Sequence, residues 1–86
     1  MARYELRFKN SVAKDLRTLP KSDVAKVLER IDALRDDPRP PGSEKLSAQE
    51  RYRIRQGSYR ILYEISDQEV IVTVVKVGHR REVYRQ

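Results

Sequence analysis

Several residue types that carry common chemistry are absent or scarce in this chain of 86 residues. It has no cysteine, no tryptophan and one histidine. Without cysteine, the protein can form neither a disulfide, nor a thiolate nucleophile, nor a cysteine-ligated zinc site. No apolar run approaches the roughly 18 residues of a membrane span, and the opening residues MARYELRF lack the apolar stretch of a secretory signal. We therefore expect a cytoplasmic protein without a membrane partner.

Length and composition limit the core and indicate a basic surface. A chain this short suits one domain over residues 1–86, built on one hydrophobic core. Nineteen Lys and Arg residues against thirteen Asp and Glu residues give a net charge of +6, and the excess lies mainly in residues 45–86. A basic surface attracts phosphate backbones, acidic proteins and anionic lipid alike. The charge alone therefore gives only a weak preference for nucleic acid.

The N-terminal half predicts one strand and a helical hairpin. Apolar residues alternate with charged ones in the first segment, which is typical of a half-buried strand with an inner face of Tyr4, Leu6 and Phe8. A short helix capped at Asn10 or Ser11 ends before Pro20 and turns inward Val12, Ala13, Leu16 and Leu19. A second helix, from about Ser22 to Arg35, carries an apolar stripe of Val24, Val27, Leu28, Ile31 and Leu34. Three prolines in residues 36–42 predict a loop after it.

The C-terminal half predicts three strands joined by short turns. Their approximate bounds are Arg51–Gln56, Tyr59–Ser66 and Glu69–Gly78, with turns at Gly57-Ser58 and Asp67-Gln68. The run from residue 70 to residue 75 is apolar on both faces, so we expect it near the centre of the sheet. The fold class is therefore α+β, with an N-terminal strand, a two-helix hairpin and a three-strand antiparallel meander in one small sheet.

The first of these hairpins predicts a cluster of arginines on one face. Alternation along the strand 51–56 gives this face Arg51, Arg53 and Arg55. A two-residue turn then sets the register as Arg51 with Glu64, Tyr52 with Tyr63, Arg53 with Leu62, Ile54 with Ile61, and Arg55 with Arg60. This register brings the like charges of Arg55 and Arg60 to about 4.5–5.5 Å at Cβ, which is destabilising.

Most of this positive charge has no predicted carboxylate partner. Glu64 is a candidate partner for Arg51, but the register places no carboxylate opposite Arg53 or near the Arg55–Arg60 pair. Guanidinium groups bind phosphate through bidentate hydrogen bonds and stay charged at any accessible pH. The cluster therefore predicts a site for a phosphodiester. An ordinary solvated face is the alternative for any single arginine.

Three segments together resemble the RelE/ParE toxin superfamily, in its RelE-like mRNA interferase branch. They are Tyr52-Arg53-Ile54-Arg55, Gly57-Ser58-Tyr59-Arg60-Ile61-Leu62-Tyr63 and Val77-Gly78-His79-Arg80-Arg81-Glu82-Val83-Tyr84. The upstream strand, helical hairpin and proline loop leading into Lys45-Leu46 are also similar to that family. The resemblance implies a type II toxin that cleaves mRNA in the ribosomal A site, without metal or other cofactor. It also implies a cognate antitoxin, with DNA bound only through the antitoxin complex.

The resemblance assigns roles to individual residues. Arg60 stabilises the phosphate, Arg80 assists the leaving group, and Tyr84 orients or deprotonates the attacking ribose 2′-hydroxyl. The substrate-binding positions are Arg53, Arg55, Arg51, Lys45 and Arg81. His79 stands where some members have lysine.

The base is the open question among these roles. Some family members have lysines at positions 53 and 55, but an arginine cannot accept a proton near neutral pH. His79 and Tyr84 therefore compete as general base. A histidine has the better intrinsic pKa, while the resemblance favours Tyr84, which we rank first.

Two other functions fit the same fold. One is a ParE-like inhibitor of DNA gyrase, and the other is a non-catalytic toxin homologue that acts through antitoxin and operator binding. A gyrase inhibitor has no evident need for the complete set of candidate residues Arg53, Arg55, Arg60, Arg80 and Tyr84. Their presence together favours the ribonuclease.

Overall fold

The computed structural model describes residues 3–46 and 50–79 and contains two helices and five strands. In chain order these are β1 (Glu5–Phe8), α1 (Asn10–Arg17), α2 (Lys21–Ala33), β2 (Glu44–Lys45), β3 (Arg51–Gln56), β4 (Tyr59–Ser66) and β5 (Ile71–His79). The α+β class and the two successive helices are confirmed. No helix among the described residues is long and apolar enough to cross a membrane.

The sheet is larger than the predicted meander. Its strand order is β1-β5-β4-β3-β2, and β1 runs parallel to β5 while the other neighbours are antiparallel. The meander of three strands is present, but the expectation that it makes up the sheet with one N-terminal strand was wrong, because β2 adds a fifth strand. β2 has only two residues, both charged and exposed, so it has no apolar pattern from which it could be predicted. The apolar β5 lies inside the sheet, as expected.

The two helices cover one face of the sheet and leave the other face open. Val27 and Ile31 of α2 and Val12 of α1 are fully buried against the inner faces of β3, β4 and β5. Tyr63 is the largest fully buried side chain; its ring stacks on Tyr52 at 5.8 Å, and its hydroxyl donates to the carbonyl of Pro38 at 2.7 Å. Burial raises the pKa of Tyr63 to about 12. This tyrosine joins the proline loop to the core.

The helix ends and the helix surface differ from the sequence prediction. Lys9 and Pro20 occupy the N-cap positions, and neither provides a side-chain cap, so the assignment of Asn10 or Ser11 as the cap was wrong. Leu28, which was predicted inward, is 40% exposed, and Phe8 of β1 is 43% exposed. Both line one surface groove, and no further element among the described residues covers them.

β5 contains one extra residue relative to β4. Leu62 pairs with Lys76 while the next residue, Tyr63, pairs with Val74, which makes Val75 a bulge. Side chains alternate strictly in a regular strand, so an extra residue inverts the alternation beyond it. After the bulge, Lys76 and Gly78 belong to the open face, whereas Val77 and His79 belong to the face that carries the helices.

Candidate active site: the arginine face

The open face of the sheet carries the predicted arginines in the predicted register. All five pairs of the β3–β4 hairpin are confirmed, including Arg51 with Glu64 and Arg55 with Arg60. The two-residue turn is also confirmed, with Gly57 at a φ of 60°, a conformation that glycine adopts without strain. We use the name arginine face for Arg51, Arg53, Arg55 and Arg60.

Arg60 is the most buried side chain of the arginine face. It is 2% exposed, whereas Arg55 beside it is exposed to solvent. The register places Arg60 between Arg55 of β3 and Gly78 of β5. Gly78 puts no side chain on the face next to Arg60. In a poorly hydrated environment a charge interacts more strongly with an anion than it does in bulk water, so Arg60 is the strongest candidate to bind a phosphate oxygen.

More of the positive charge on the arginine face is paired with carboxylates than the sequence indicated. Glu64 binds Arg51 at 2.7 Å, as predicted. Arg53, however, binds Glu44 at 2.7 Å, which corrects the expectation that no carboxylate faces it. Glu44 belongs to β2 and is the register partner of Arg53, so the misprediction follows from the undetected strand. Within residues 3–46 and 50–79, no carboxylate forms an ion pair with Arg55.

His79 lies on the other face of the sheet. Its register partner is Tyr59, whose hydroxyl donates to Asp23 of α2 at 3.0 Å, and the rings of His79 and Tyr59 meet edge to face at 6.2 Å. The bulge at Val75 accounts for this placement, because unbroken alternation would put residue 79 beside the arginines. His79 and the arginine face therefore do not converge.

Lys45, the other cation assigned to substrate, also lies outside the arginine face. It pairs in register with Tyr52, whose side chain faces the core, and its ammonium binds Glu50 at 3.2 Å. The remaining predicted site residues, Arg80, Arg81 and Tyr84, lie outside the described residues. The described part of the predicted site is thus the arginine face alone.

A second polar cluster surrounds Arg39 of the proline loop, and sequence reasoning did not predict it. Arg39 donates to Glu50, Asp67 and the hydroxyl of Tyr52, each at 2.9 Å, and its guanidinium lies 5.2 Å from the centre of the Tyr52 ring. Hydrogen bonds from Arg39 and from Tyr4 lower the pKa of Asp67. Those from Tyr52, Arg39 and Lys45 lower the pKa of Glu50. This cluster fastens the loop to β3 and β4.

The Arg39 cluster predicts a loss of stability in acid. Because the pKa of Asp67 and that of Glu50 are lowered in the folded protein, the unfolded chain binds more protons in acid. The stabilisation is therefore complete above about pH 5 and is lost as the pH falls below about 4, through the lowered pKa values of the folded protein. We expect Asp67→Asn to flatten this dependence, measured as the difference in melting temperature between pH 7 and pH 3. Glu29→Gln, at an exposed position of α2, is the control. Equal pH dependence in wild type and Asp67→Asn would contradict the role of the cluster.

An apolar groove opens on the helical side of the molecule, away from the arginine face. It has a volume of about 450 Å³ and is lined mainly by Phe8, Val12, Ala13, Leu16 and Leu28. Ala13 and Leu28 were predicted to be inside the core. Their exposure, together with that of Phe8, leaves an apolar surface that a partner could cover.

Comparisons with known proteins agree on one family. The model of the ParE toxin of type II toxin-antitoxin systems, parDE, matches residues 6–84. Toxin RelG of Mycobacterium tuberculosis is 32% identical over 85 residues, which cover 96% of this chain and 98% of RelG. The toxin-antitoxin complex RelBE2 of the same organism has a TM-score of 0.79 at 31% identity, covering 91% of this chain and 99% of that chain.

The fold likeness extends to the archaea. A chain of the RelE-RelB complex from Pyrococcus horikoshii has a TM-score of 0.83 at 28% identity, and the alignment covers 91% of this chain and 96% of that one. The match of the family model extends from β1 through the last strand and includes every residue of the arginine face. The chain therefore belongs to the ParE toxin family of type II toxin-antitoxin systems, in the RelE-like branch of the RelE/ParE superfamily.

Proposed function

We propose that this toxin is a metal-independent endoribonuclease of the cytoplasm that cleaves mRNA in the ribosomal A site. The observation that carries the proposal is the Arg55–Arg60 pair on the open face, in which two guanidinium groups are register partners and Arg60 is 2% exposed. Like charges so placed repel each other, and the phosphate of a nucleic-acid backbone would offset this repulsion. Arg53 can exchange its half-exposed partner Glu44 for substrate.

The chemistry requires no group beyond the nucleotide and the side chains. The 2′-oxygen of the ribose attacks the adjacent phosphorus, the bond from phosphorus to the 5′-oxygen breaks, and the products are a 2′,3′-cyclic phosphate and a 5′-hydroxyl. Arg60 and Arg55 stabilise the negative charge that grows on the phosphoryl oxygens. The proton of the 2′-hydroxyl goes to a base, and the leaving oxygen gains one.

We assign the base to Tyr84 and the leaving-group assistance to Arg80. His79 is a weaker candidate for the base than the sequence indicated, because its side chain belongs to the helical face with Tyr59. A base must come within hydrogen-bond reach of the proton that it removes. Guanidinium groups favour the anionic form of a nearby phenol, so that more of it is deprotonated and able to accept a proton near neutral pH.

A programmed ribosome tests the proposed function. Purified toxin added to ribosomes with a defined codon in the A site should cut the mRNA there and leave a 2′,3′-cyclic phosphate. Free mRNA should be cut far more slowly. If the toxin binds ribosomes and the mRNA stays intact, the ribonuclease proposal fails. If it spares RNA and inhibits supercoiling by gyrase, the ParE-like alternative is correct, and absence of both activities supports a non-catalytic homologue.

We further propose that a cognate antitoxin binds the apolar groove. Two solved relatives, from M. tuberculosis and P. horikoshii, are toxin-antitoxin complexes. The groove exposes Phe8 and Leu28 at 43% and 40%, which an amphipathic helix can cover. Lys9 at its rim favours an acidic partner.

Leu28→Glu should weaken antitoxin binding. Burial of the 40% of Leu28 that is exposed contributes on the order of 1 kcal/mol, and burying the carboxylate of the variant adds a further cost. We therefore expect Kd to rise by about tenfold or more, measured by isothermal titration calorimetry. Leu46→Glu is a matched control, because Leu46 is 41% exposed and does not line the groove. Equal Kd values for the two variants would place the antitoxin elsewhere.

A further inference from the structure

The C-terminal half of β5 extends beyond its neighbour β1. The parallel pairing of β1 ends with Phe8 opposite Val74, and within the described residues no strand pairs with that edge from Val75 to His79. Helix α1 lies there instead. The amide of Val77 donates to Oδ2 of Asp15 at 3.1 Å, and the ammonium of Lys76 lies 3.7 Å from Oδ1 of the same carboxylate.

Asp15 is the only acidic residue of α1, and its side chain is 17% exposed. A carboxylate that accepts from a backbone amide makes a stronger hydrogen bond than a neutral acceptor does. This carboxylate therefore replaces the missing strand at the edge of β5. It does so at Val77, two residues beyond the bulge at Val75.

The bulge decides which residues of β5 reach the arginine face. With Val75 extra, Gly78 pairs with Arg60, and Lys76 pairs with Leu62, which in turn pairs with Arg53. A shift by one residue would turn Val77 to the arginine face and replace Gly78 beside Arg60 by a larger side chain. It would also change the direction in which the chain leaves β5. Bulges near active sites commonly aim side chains in this way.

We propose that Asp15 is a positioning residue of the ribonuclease site. By holding Val77, it fixes the register of β5 after the bulge and keeps Gly78 beside Arg60. Asp15 contacts no substrate and acts through β5. This inference rests on the proposed function, since it assigns a role within the same site.

Asp15→Ala and Asp15→Asn separate this role from general stabilisation. In single-turnover cleavage on programmed ribosomes, we expect Asp15→Ala to lower the maximal rate constant by about tenfold to a hundredfold, because catalytic groups displaced by about 1 Å lose this much rate. The toxin concentration that gives half of the maximal rate should change little. Asp15→Asn keeps an oxygen acceptor for Val77 and should restore most of the rate. Amide hydrogen exchange at Val77 should accelerate in Asp15→Ala and stay slow in Asp15→Asn.

Asp23→Ala is the matched control. Asp23 also joins a helix to the sheet, through the Tyr59 hydroxyl at 3.0 Å, but it makes no bond to β5. We expect this variant to lose stability comparably and to keep its cleavage rate. The inference is overturned if Asp15→Ala cleaves like wild type, or if Asp23→Ala loses as much rate.

The register gives a readout that does not depend on cleavage. An NMR contact between the α-protons of Ile61 and Val77, which face each other in the β4–β5 pair, reports the register in the same samples. If wild-type toxin does not cut mRNA, the proposed ribonuclease function fails together with the catalytic role of Asp15. If wild type cuts mRNA and the Ile61–Val77 contact persists in Asp15→Ala, only the inference about Asp15 fails.

Discussion

Arg60→Ala should lower the rate of mRNA cleavage by about 10²–10³-fold, the usual cost of removing one preorganised donor to a developing oxyanion. The effect is large because Arg60 is buried between Arg55 and Gly78, where its charge is poorly screened. Ribosome binding should change much less, because the other cations of the arginine face remain in this variant. Single-turnover cleavage and ribosome sedimentation measure the two quantities separately.

Arg7→Ala is the control for this prediction. Arg7 lies on the same open face, but on β1 at the far end of the sheet, where it pairs with Glu5. Removing it lowers the net charge by the same amount without touching the arginine face. Equal losses of cleavage in Arg7→Ala and Arg60→Ala would mean that charge alone is responsible. An unchanged melting temperature in Arg60→Ala ensures that the loss of rate does not reflect unfolding.

Tyr63→Ala should destabilise the protein by about 3–5 kcal/mol, the usual cost of deleting a buried aromatic ring. Because domains of this kind are stable by about 5–15 kcal/mol, this loss is a large fraction of the free energy of unfolding. The ring is fully buried, stacks on Tyr52, and its hydroxyl holds the carbonyl of Pro38. Urea unfolding followed by circular dichroism measures the free energy of unfolding.

Tyr63→Phe divides this effect between the ring and the hydroxyl. It should cost about 1–3 kcal/mol, because the buried carbonyl of Pro38 loses its partner while the ring stays. Tyr4→Phe is the control, since the Tyr4 hydroxyl bonds to Asp67 at the exposed surface, and its loss should be smaller. If Tyr63→Phe is as unstable as Tyr63→Ala, the hydroxyl rather than the ring holds the core together.

Local rules were sufficient for the β3–β4 hairpin. Strict alternation together with a two-residue turn leaves one register, so every pair from Arg51–Glu64 to Arg55–Arg60 could be predicted. The partner of Arg53 could not be predicted from these local rules. Glu44 reaches it through a strand of two charged residues, and such a strand forms only because β3 offers an unpaired edge.

The position of His79 depends on a feature that has no local signature. Nothing in a run of valines reveals which one is extra, yet the bulge at Val75 decides the face on which His79 lies. The role of Asp15 did have a signal. It stands three residues after Val12 and one before Leu16, on the buried side of α1, where an acidic residue needs a partner.

The two candidate binding surfaces lie on opposite sides of the molecule. The arginine face and the apolar groove lie on opposite sides of one sheet, so a helix that occupies the groove alone leaves the arginines accessible. The molecule measures 34 × 25 × 24 Å and an extended chain covers about 3.3–3.6 Å per residue, so roughly seven to ten more residues reach around the edge. An antitoxin can therefore hold the toxin with one segment and silence it with another, and proteolysis of the second would release activity before the complex separates.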